Sequence, residues 1–240
     1  MINLVIPAAG RGSRFSSVTS TPKPFIDIGG QIMIDRAISS IVNNYYDPLQ
    51  VHVCFHTDHI KYENDLEYLK KKYNLHITYI DYITSGQAET VNIIVKKINN
   101  DYPILIANCD QIIEWDLYKF ISYCYSNSLD GCIPVFSSSS DKWSYAEADQ
   151  NGIVVRTAEK KVISNYATVG VYYWKNKSLY IDSVEEMKRN NDMTNNEHYV
   201  CPAYNYLIKN GRKVMTWEDI IMHGVGTPDD LKTYMEFKGC

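Results

Sequence analysis

The sequence lacks several features that would assign it to a common class of protein. It has no excess of positive charge, since 24 lysine and arginine residues stand against 28 acidic residues, which predicts no nucleic-acid partner. No apolar run reaches the ~18 residues of a membrane-spanning helix, and the N-terminus has no charged flank of a signal peptide. We therefore expect a cytoplasmic protein without membrane insertion. The six cysteines have no Cys-x-x-Cys spacing, which predicts neither a zinc site nor a disulfide framework.

The hydrophobic content and its periodicity indicate the fold class. With 45% hydrophobic residues in 240, the chain can bury one sizeable core, and we expect one domain over residues 1–240. The predicted strands are residues 2–7, 51–55, 76–82, 103–107, 131–136, 153–156, 167–173 and 213–217. The predicted helices are residues 31–44, 59–72, 87–98, 115–128, 177–190 and 199–210. This alternation predicts an α/β fold with a mostly parallel sheet covered by helices.

A loop after the first predicted strand combines small residues with positive charge. It comprises Ala8, Ala9, Gly10, Arg11, Gly12, Ser13, Arg14 and Phe15. Its backbone N–H groups can approach an anion closely. Lys23 follows between Pro22 and Pro24, which restrict the backbone and hold the direction of the lysine, so that the cations converge on one anion. The loop matches neither the dinucleotide fingerprint nor the P-loop, and a glycine-rich turn with solvated arginines is the alternative.

Two further polar segments follow predicted strands, where open α/β sheets bind their ligands. Gly86, Gln87 and Ala88 lie in a small polar turn before a helix, and this turn serves equally well as a capped helix start. Asp110 follows the apolar strand 103–107 and places a carboxylate where a hard cation is the natural partner. A helix-capping role for Asp110 is the alternative, although Glu114 and Asp116 lie better for it.

The complete string, a strand followed by AAGRGSRF and PKPF, resembles the signature of the sugar-phosphate nucleotidyltransferase, or nucleotidyl-pyrophosphorylase, family. The resemblance implies a Rossmann-like, mostly parallel mixed sheet covered by helices, of the nucleotide-diphospho-sugar transferase type. It also implies that residues 8–13 wrap a triphosphate and that Arg14 contacts the departing phosphates. Lys23 would then support the transferring phosphoryl group, Asp110 would bind Mg²⁺, and residues 86–88 would face the nucleobase.

The resemblance continues, less strongly, into the second half of the chain. It divides the domain into a nucleotide-binding half, about 1–136, and an acceptor-binding half, about 137–240. Glu159 and Lys160 match a Glu-Lys pair that binds sugar hydroxyls and the acceptor phosphate, with Lys161 as the fallback. Gly170 and Tyr172 match a Gly-hydrophobic-Tyr strand of the same acceptor site. A charge cluster on an edge strand is the alternative for the Glu-Lys pair.

One position departs from the family pattern. Before Gly226-Thr227-Pro228 the family commonly places an aspartate that supplies a second metal ligand, and this position is Gly224 here. Either Asp110 suffices together with phosphate oxygens and water, or another acid such as Glu218 or Asp219 reaches the metal.

The resemblance implies transfer of a nucleoside monophosphate to a phosphorylated acceptor with release of pyrophosphate. CTP is favoured, then UTP or dTTP. The acceptor is a sugar 1-phosphate or another small phosphorylated metabolite, for capsule or cell-surface polysaccharide precursors, and homo-oligomer formation is left open. Two alternatives remain. One is a glycosyltransferase that uses a nucleotide sugar, although Asp110 is followed by Gln111 and Ile112 and therefore forms no Asp-x-Asp motif. The other is a non-catalytic nucleotide-binding regulatory protein.

Overall fold

The computed structural model describes residues 1–239 as alternating strands and helices. The strands are β1 (Ile2–Ala8), β2 (Leu49–His56), β3 (His76–Ile80), β4 (Ile104–Ala107), β5 (Gln111–Trp115), β6 (Gly131–Ser137), β7 (Ser144–Ala148), β8 (Val154–Glu159), β9 (Tyr166–Thr168), β10 (Val171–Trp174), β11 (Val214–Trp217) and β12 (Ile220–Gly224). The α-helices are α1 (Met33–Val42), α2 (Glu63–Tyr73), α3 (Gln87–Val95), α4 (Leu117–Ser126), α5 (Lys177–Arg189), α6 (Tyr204–Lys209) and α7 (Pro228–Lys238). The order matches the predicted alternation.

The parallel part of the main sheet comes from the first half of the chain, in the order β3-β2-β1-β4. Side chains of β1 alternate between two buried faces because successive residues of a strand point in opposite directions. Val5 packs in one hydrophobic cluster with Val91 of α3, whereas Leu4 and Ile6 pack in another with Ile34 of α1. Helices on both faces therefore explain why β1 is apolar along almost its whole length.

The second half of the chain extends this sheet through antiparallel strands. β10 pairs with β4 and β6, and β9 pairs with β6 and β7. The single strand predicted over 167–173 is therefore wrong in one respect, because the chain bends at Gly170 and forms two strands with different neighbours. β12 pairs with β5 in a separate two-stranded sheet. The predicted fold class is confirmed, with the antiparallel pairs concentrated in the second half.

The sequence prediction missed β5, β7, β12 and α7. The helix predicted from residue 115 starts instead at Leu117, because Trp115 belongs to β5 and Asp116 caps the helix. The Asp116 carboxylate accepts a hydrogen bond of 2.9 Å from the Lys119 N–H. Helix capping at this point therefore uses Asp116 and leaves Asp110 for another role.

The described cysteines, residues 54, 109, 124, 132 and 201, are buried and unpaired. Cys240 lies outside the described residues. Within residues 1–239, no helix has the length and apolar character that crossing a membrane would need.

Candidate active site

Two adjoining cavities open at the carboxyl ends of the parallel strands. The strand-end cavity, about 500 Å³, is lined by Asp110, Glu159, Lys160, Gly170 and Tyr172 among others. The loop cavity, about 410 Å³, is lined by residues 9–14 together with Gly86 and Gln87. Both cavities share a short common wall, which consists of Pro7, Arg14, Lys23, Gln87, Tyr199 and Gly226. The sequence-predicted residues of both halves of the chain therefore meet around one continuous space.

The glycine loop approaches Lys23 closely. Gly12 has a φ of 60°, and a Cβ atom at this position would lie 3.0 Å from the Lys23 Cβ. The following 3₁₀ turn, Ser13–Phe15, is anchored by Phe15, which is buried with Met33 and Val225. A residue with a side chain at position 12 would push the loop away from the lysine.

Lys23 is held in a rigid turn and pairs with Asp110. Its 3₁₀ turn, Lys23–Phe25, starts after Pro22, and the Phe25 ring stacks on Tyr62 with ring centroids 4.5 Å apart. Lys23 Nζ and Asp110 Oδ2 form an ion pair in which both side chains are mostly buried. Burial lowers the pKa of Lys23, but the Asp110 carboxylate outweighs this effect and raises the pKa above its ordinary value. The lysine is therefore a cation at neutral pH.

The Asp110 carboxylate lies against the backbone at Gly226, which follows β12. Antiparallel pairing of β12 with β5 brings this segment to the site, and the Val225 N–H donates to the Asp110 carbonyl at 2.9 Å. A Cβ atom at Gly226 would lie 2.8 Å from Asp110 Oδ2 and 3.9 Å from an Arg14 guanidinium nitrogen. Arg14, Lys23 and Asp110 therefore converge beside Gly226, and only glycine leaves their charged groups this space.

The chemistry of these donors fits Mg²⁺ shared with phosphate groups. Magnesium typically uses one or two carboxylates and completes its shell with phosphate oxygens and water. Residues 1–239 contain no cluster of three or more His, Cys, Asp or Glu side chains that could hold a metal without help. Asp110 is therefore the carboxylate that would hold the ion, and the remaining ligands would come from substrate and water.

Three carboxamides line the strand-end cavity near Asp110. Gln87 donates a hydrogen bond to the Asn108 carbonyl oxygen. Gln111 is 8% exposed, and its Oε1 has no donor among the described residues. A Cβ atom at Gly170 would collide with this oxygen. A buried acceptor without a donor destabilises the protein by about 1–3 kcal/mol, so Oε1 is suited to accept a hydrogen bond from a bound molecule.

The predicted nucleobase turn is held by a distant backbone segment. The His198 N–H donates to the Ser85 carbonyl at 2.8 Å, and the Ala88 N–H donates to the His198 carbonyl at 2.9 Å. Ala88 is fully buried, and like Ala8 at the end of β1 it lines neither cavity. Of the predicted nucleotide-binding residues, those that line the loop cavity are Ala9, Gly10, Arg11, Gly12, Ser13, Gly86 and Gln87.

Gly86 should be far less replaceable than a glycine that also has a positive φ but has open space around it. Its φ is 138°, and a Cβ atom would lie 2.5 Å from the His198 backbone N and O. We expect Gly86→Ala to lower the free energy of unfolding by about 3 kcal/mol or more, from backbone strain plus the clash. Gly211 has a φ of 72° with open space around it, so Gly211→Ala should cost only about 1–2 kcal/mol. If denaturant titrations give both variants the same loss of unfolding free energy, the close packing of Gly86 against the His198 backbone is contradicted.

The predicted acceptor residues Glu159, Lys160, Gly170 and Tyr172 line the strand-end cavity. Glu159 ends β8 and accepts a hydrogen bond from Ser144 of β7. Burial raises the pKa of Glu159, while the Ser144 hydrogen bond and Lys160 partly oppose the shift. The Tyr172 hydroxyl is buried and shares a hydrogen bond of 2.9 Å with Thr168. Glu159 and Lys160 thus present a carboxyl group and an ammonium group to one cavity.

Other residues of this cavity were missed by the sequence prediction. They include Asn108, Gln111, Trp143, Ser144, Tyr199 and Asp230. Asp230 pairs with Lys142 at 3.3 Å, and neither Glu218 nor Asp219 lines the cavity. A Cβ atom at Gly224 would lie 3.4 Å from the Trp143 ring, so the indole occupies the space beside this position.

Comparison with known proteins identifies one family and many similar structures. The sequence model of a family described as nucleotidyl transferase matches residues 3–238. A nucleoside-diphosphate-sugar pyrophosphorylase from Vibrio cholerae has a TM-score of 0.84 and 23% identity, over 97% of this chain and 99% of the other. A putative glucose-1-phosphate thymidylyltransferase from Bacillus anthracis has a TM-score of 0.78 and 16% identity, over 99% and 95%. The inositol-1-phosphate CTP transferase from T. maritima has a TM-score of 0.76 and 14% identity, over 99% and 94%. At these identities the likeness establishes the fold alone, and curated protein sequences give no match.

Proposed function

Because the chain belongs to the nucleotidyl transferase family, we propose that it transfers a nucleoside monophosphate from a nucleoside triphosphate to a small phosphorylated acceptor and releases pyrophosphate. The observation that carries this proposal is that Arg14 and Lys23 lie in the wall shared by the two cavities, and that Asp110 of the strand-end cavity pairs with Lys23. A triphosphate in the loop cavity and an acceptor phosphate in the strand-end cavity would face each other there. CTP is the favoured nucleotide, then UTP or dTTP.

In the proposed reaction, an oxygen of the acceptor phosphate attacks the α-phosphorus of the nucleotide. The bond from the α-phosphorus to the oxygen of the β-phosphate breaks, and pyrophosphate leaves with the electron pair. The nucleophile is already anionic, so no protein base is needed. Catalysis then consists of placing the two phosphates and neutralising their charge.

Each group of the site has a place in this scheme. The glycine-loop amides and Arg14 hold the departing phosphates, and Lys23 neutralises charge at the reacting phosphorus. Lys160 binds the acceptor phosphate. Mg²⁺ bound by Asp110 would supply further positive charge to the phosphate oxygens.

The polar lining supports an acceptor that carries hydrogen-bond donors, such as a sugar 1-phosphate or another hydroxylated phosphate. Gln111 Oε1 lacks a donor, and the Glu159 carboxyl group lies in the same cavity. The chain's own ammonium groups already lie over the rings of Trp143 and Tyr199, at 4.6 Å for Lys142 and 4.9 Å for Lys160. These rings are therefore poorly placed to bind a cationic acceptor. A role in capsule or cell-surface precursor synthesis is the setting we propose.

The proposal is tested by incubating the protein with Mg²⁺, each of the four common ribonucleoside triphosphates and dTTP, and a panel of sugar, polyol and amino-alcohol phosphates. Pyrophosphate should appear only with one nucleotide and a hydroxylated acceptor, and chelation of Mg²⁺ should stop its release. Nucleotide-dependent thermal stabilisation without pyrophosphate from any pair would instead support a non-catalytic nucleotide-binding protein.

A further inference from the structure

Tyr199 contacts Lys160 from the wall that both cavities share. Lys160 Nζ donates a hydrogen bond of 2.9 Å to the Tyr199 hydroxyl. The same nitrogen lies 4.9 Å from the centroid of the Tyr199 ring, within the range of a cation–π interaction. The partly buried tyrosine therefore holds the ammonium group through two kinds of contact at the border of the two cavities.

The backbone of Lys160 is also constrained. Its φ is 51°, in the left-handed region that a residue with a side chain rarely adopts. The Lys160 N–H donates to the Trp143 carbonyl at 3.0 Å, which fixes this turn at the end of β8. Such a conformation is unfavourable and persists only where the surroundings hold it. A flexible lysine side chain is thus fixed at its base by the turn and at its tip by Tyr199.

The position of Tyr199 is itself set from the nucleotide side. The preceding residue, His198, bonds through its backbone to Ser85 and Ala88, around the turn that lines the loop cavity. The next residue, Val200, is fully buried in the core. The backbone of His198 therefore connects the turn at Gly86 and Gln87 to the next residue, Tyr199, whose side chain contacts the ammonium group of Lys160.

We propose that Tyr199 is a positioning residue that aims the Lys160 ammonium group at the acceptor phosphate. This inference rests on the proposed function, since it assigns Lys160 to that phosphate. Without the hydroxyl, the ammonium group samples other directions and binds the acceptor less well, while the nucleotide contacts of the glycine loop stay intact. The acceptor KM should therefore rise about tenfold in Tyr199→Phe, which corresponds to the net value of one charge-assisted hydrogen bond.

The kinetic test uses Tyr199→Phe, Lys160→Ala and the double variant, with the acceptor KM and the nucleotide KM measured separately. The acceptor KM should rise in both single variants while the nucleotide KM changes less than about twofold. In the Lys160→Ala background, the Tyr199 change should add almost nothing, because the two residues act as one unit. Tyr118→Phe, an exposed tyrosine of α4, is the matched control and should behave as the wild type. An unchanged acceptor KM in Tyr199→Phe, or additive effects in the double variant, would refute the proposal.

A second measurement needs no turnover and separates this proposal from the proposed function. Acylation of lysines by an amine-reactive ester, followed by mass spectrometry, reports how firmly each ammonium group is held. Lys160 should react several-fold faster in Tyr199→Phe than in the wild type, with Lys142 of the same cavity as the internal reference. Equal rates at Lys160 would overturn the positioning role even in a protein that releases pyrophosphate. A faster rate in a protein without turnover would show that Tyr199 holds Lys160, while the proposed function, and with it the acceptor phosphate as the target of Lys160, would be refuted.

Discussion

Replacing Lys23 with alanine should lower the rate of pyrophosphate release about a hundredfold or more. The lysine is cationic, fixed in a turn after Pro22, and placed where the two cavities meet. It can therefore neutralise charge that develops in the transition state without moving first, and removal of one such contact typically costs about a hundredfold or more in rate. Nucleotide binding should weaken much less than turnover, because the glycine-loop amides remain.

The control for this variant is Lys71→Ala, which removes an exposed lysine of α2. It should keep the wild-type rate. Because Lys23→Ala leaves the mostly buried Asp110 without its ion-pair partner, its thermal unfolding must be measured beside its kinetics. A folded Lys23→Ala protein with near-normal turnover would refute the assignment of this lysine.

Asp110→Asn should lower the rate of pyrophosphate release by a comparable factor, and it should also change how that rate depends on Mg²⁺ concentration. The amide keeps the size of the side chain but loses the negative charge that would hold Mg²⁺. Turnover at ordinary Mg²⁺ concentration should fall about a hundredfold or more, and the Mg²⁺ concentration for half-maximal rate should rise. Lys23→Ala should change that Mg²⁺ concentration far less. Comparing the two variants therefore distinguishes the loss of the lysine cation from the loss of the metal ligand.

Asp116→Asn is the matched control because it makes the same chemical change close by in the chain. Asparagine caps a helix about as well as aspartate, so both the stability and the rate should stay near wild type. If Asp110→Asn keeps both its rate and its Mg²⁺ dependence, Asp110 does not hold the metal.

The first half of the site could be predicted because its residues are close in sequence or lie at strand ends. Lys23 stands between two prolines after the glycine loop, and Asp110 follows an apolar strand. Both features depend on local chain chemistry and on the rule that ligands bind at the carboxyl ends of parallel strands. The family resemblance, which is confirmed, added roles that no periodicity could give.

The rest of the site depends on pairing between distant segments. Ser144 begins β7, directly after Trp143, and Asp230 lies in α7; both elements were missed. The five residues of β7 look like loop in isolation, because their burial is set by pairing with β8 and β9. Helix α7 follows β12, which pairs with the distant strand β5. Ala8 and Ala88 belong to the motifs by position, yet both are buried and line neither cavity.

The most direct test of the central claim is to follow the phosphate oxygens of the acceptor. An acceptor labelled with ¹⁸O at its non-bridging phosphate oxygens is incubated with the nucleotide that supports turnover, and the products are analysed by mass spectrometry. The account predicts that all the label appears in a nucleoside diphosphate-linked product and none in pyrophosphate, because a phosphate oxygen of the acceptor attacks the α-phosphorus. Unlabelled nucleoside monophosphate as the only nucleotide product, with the labelled acceptor unchanged, would contradict it.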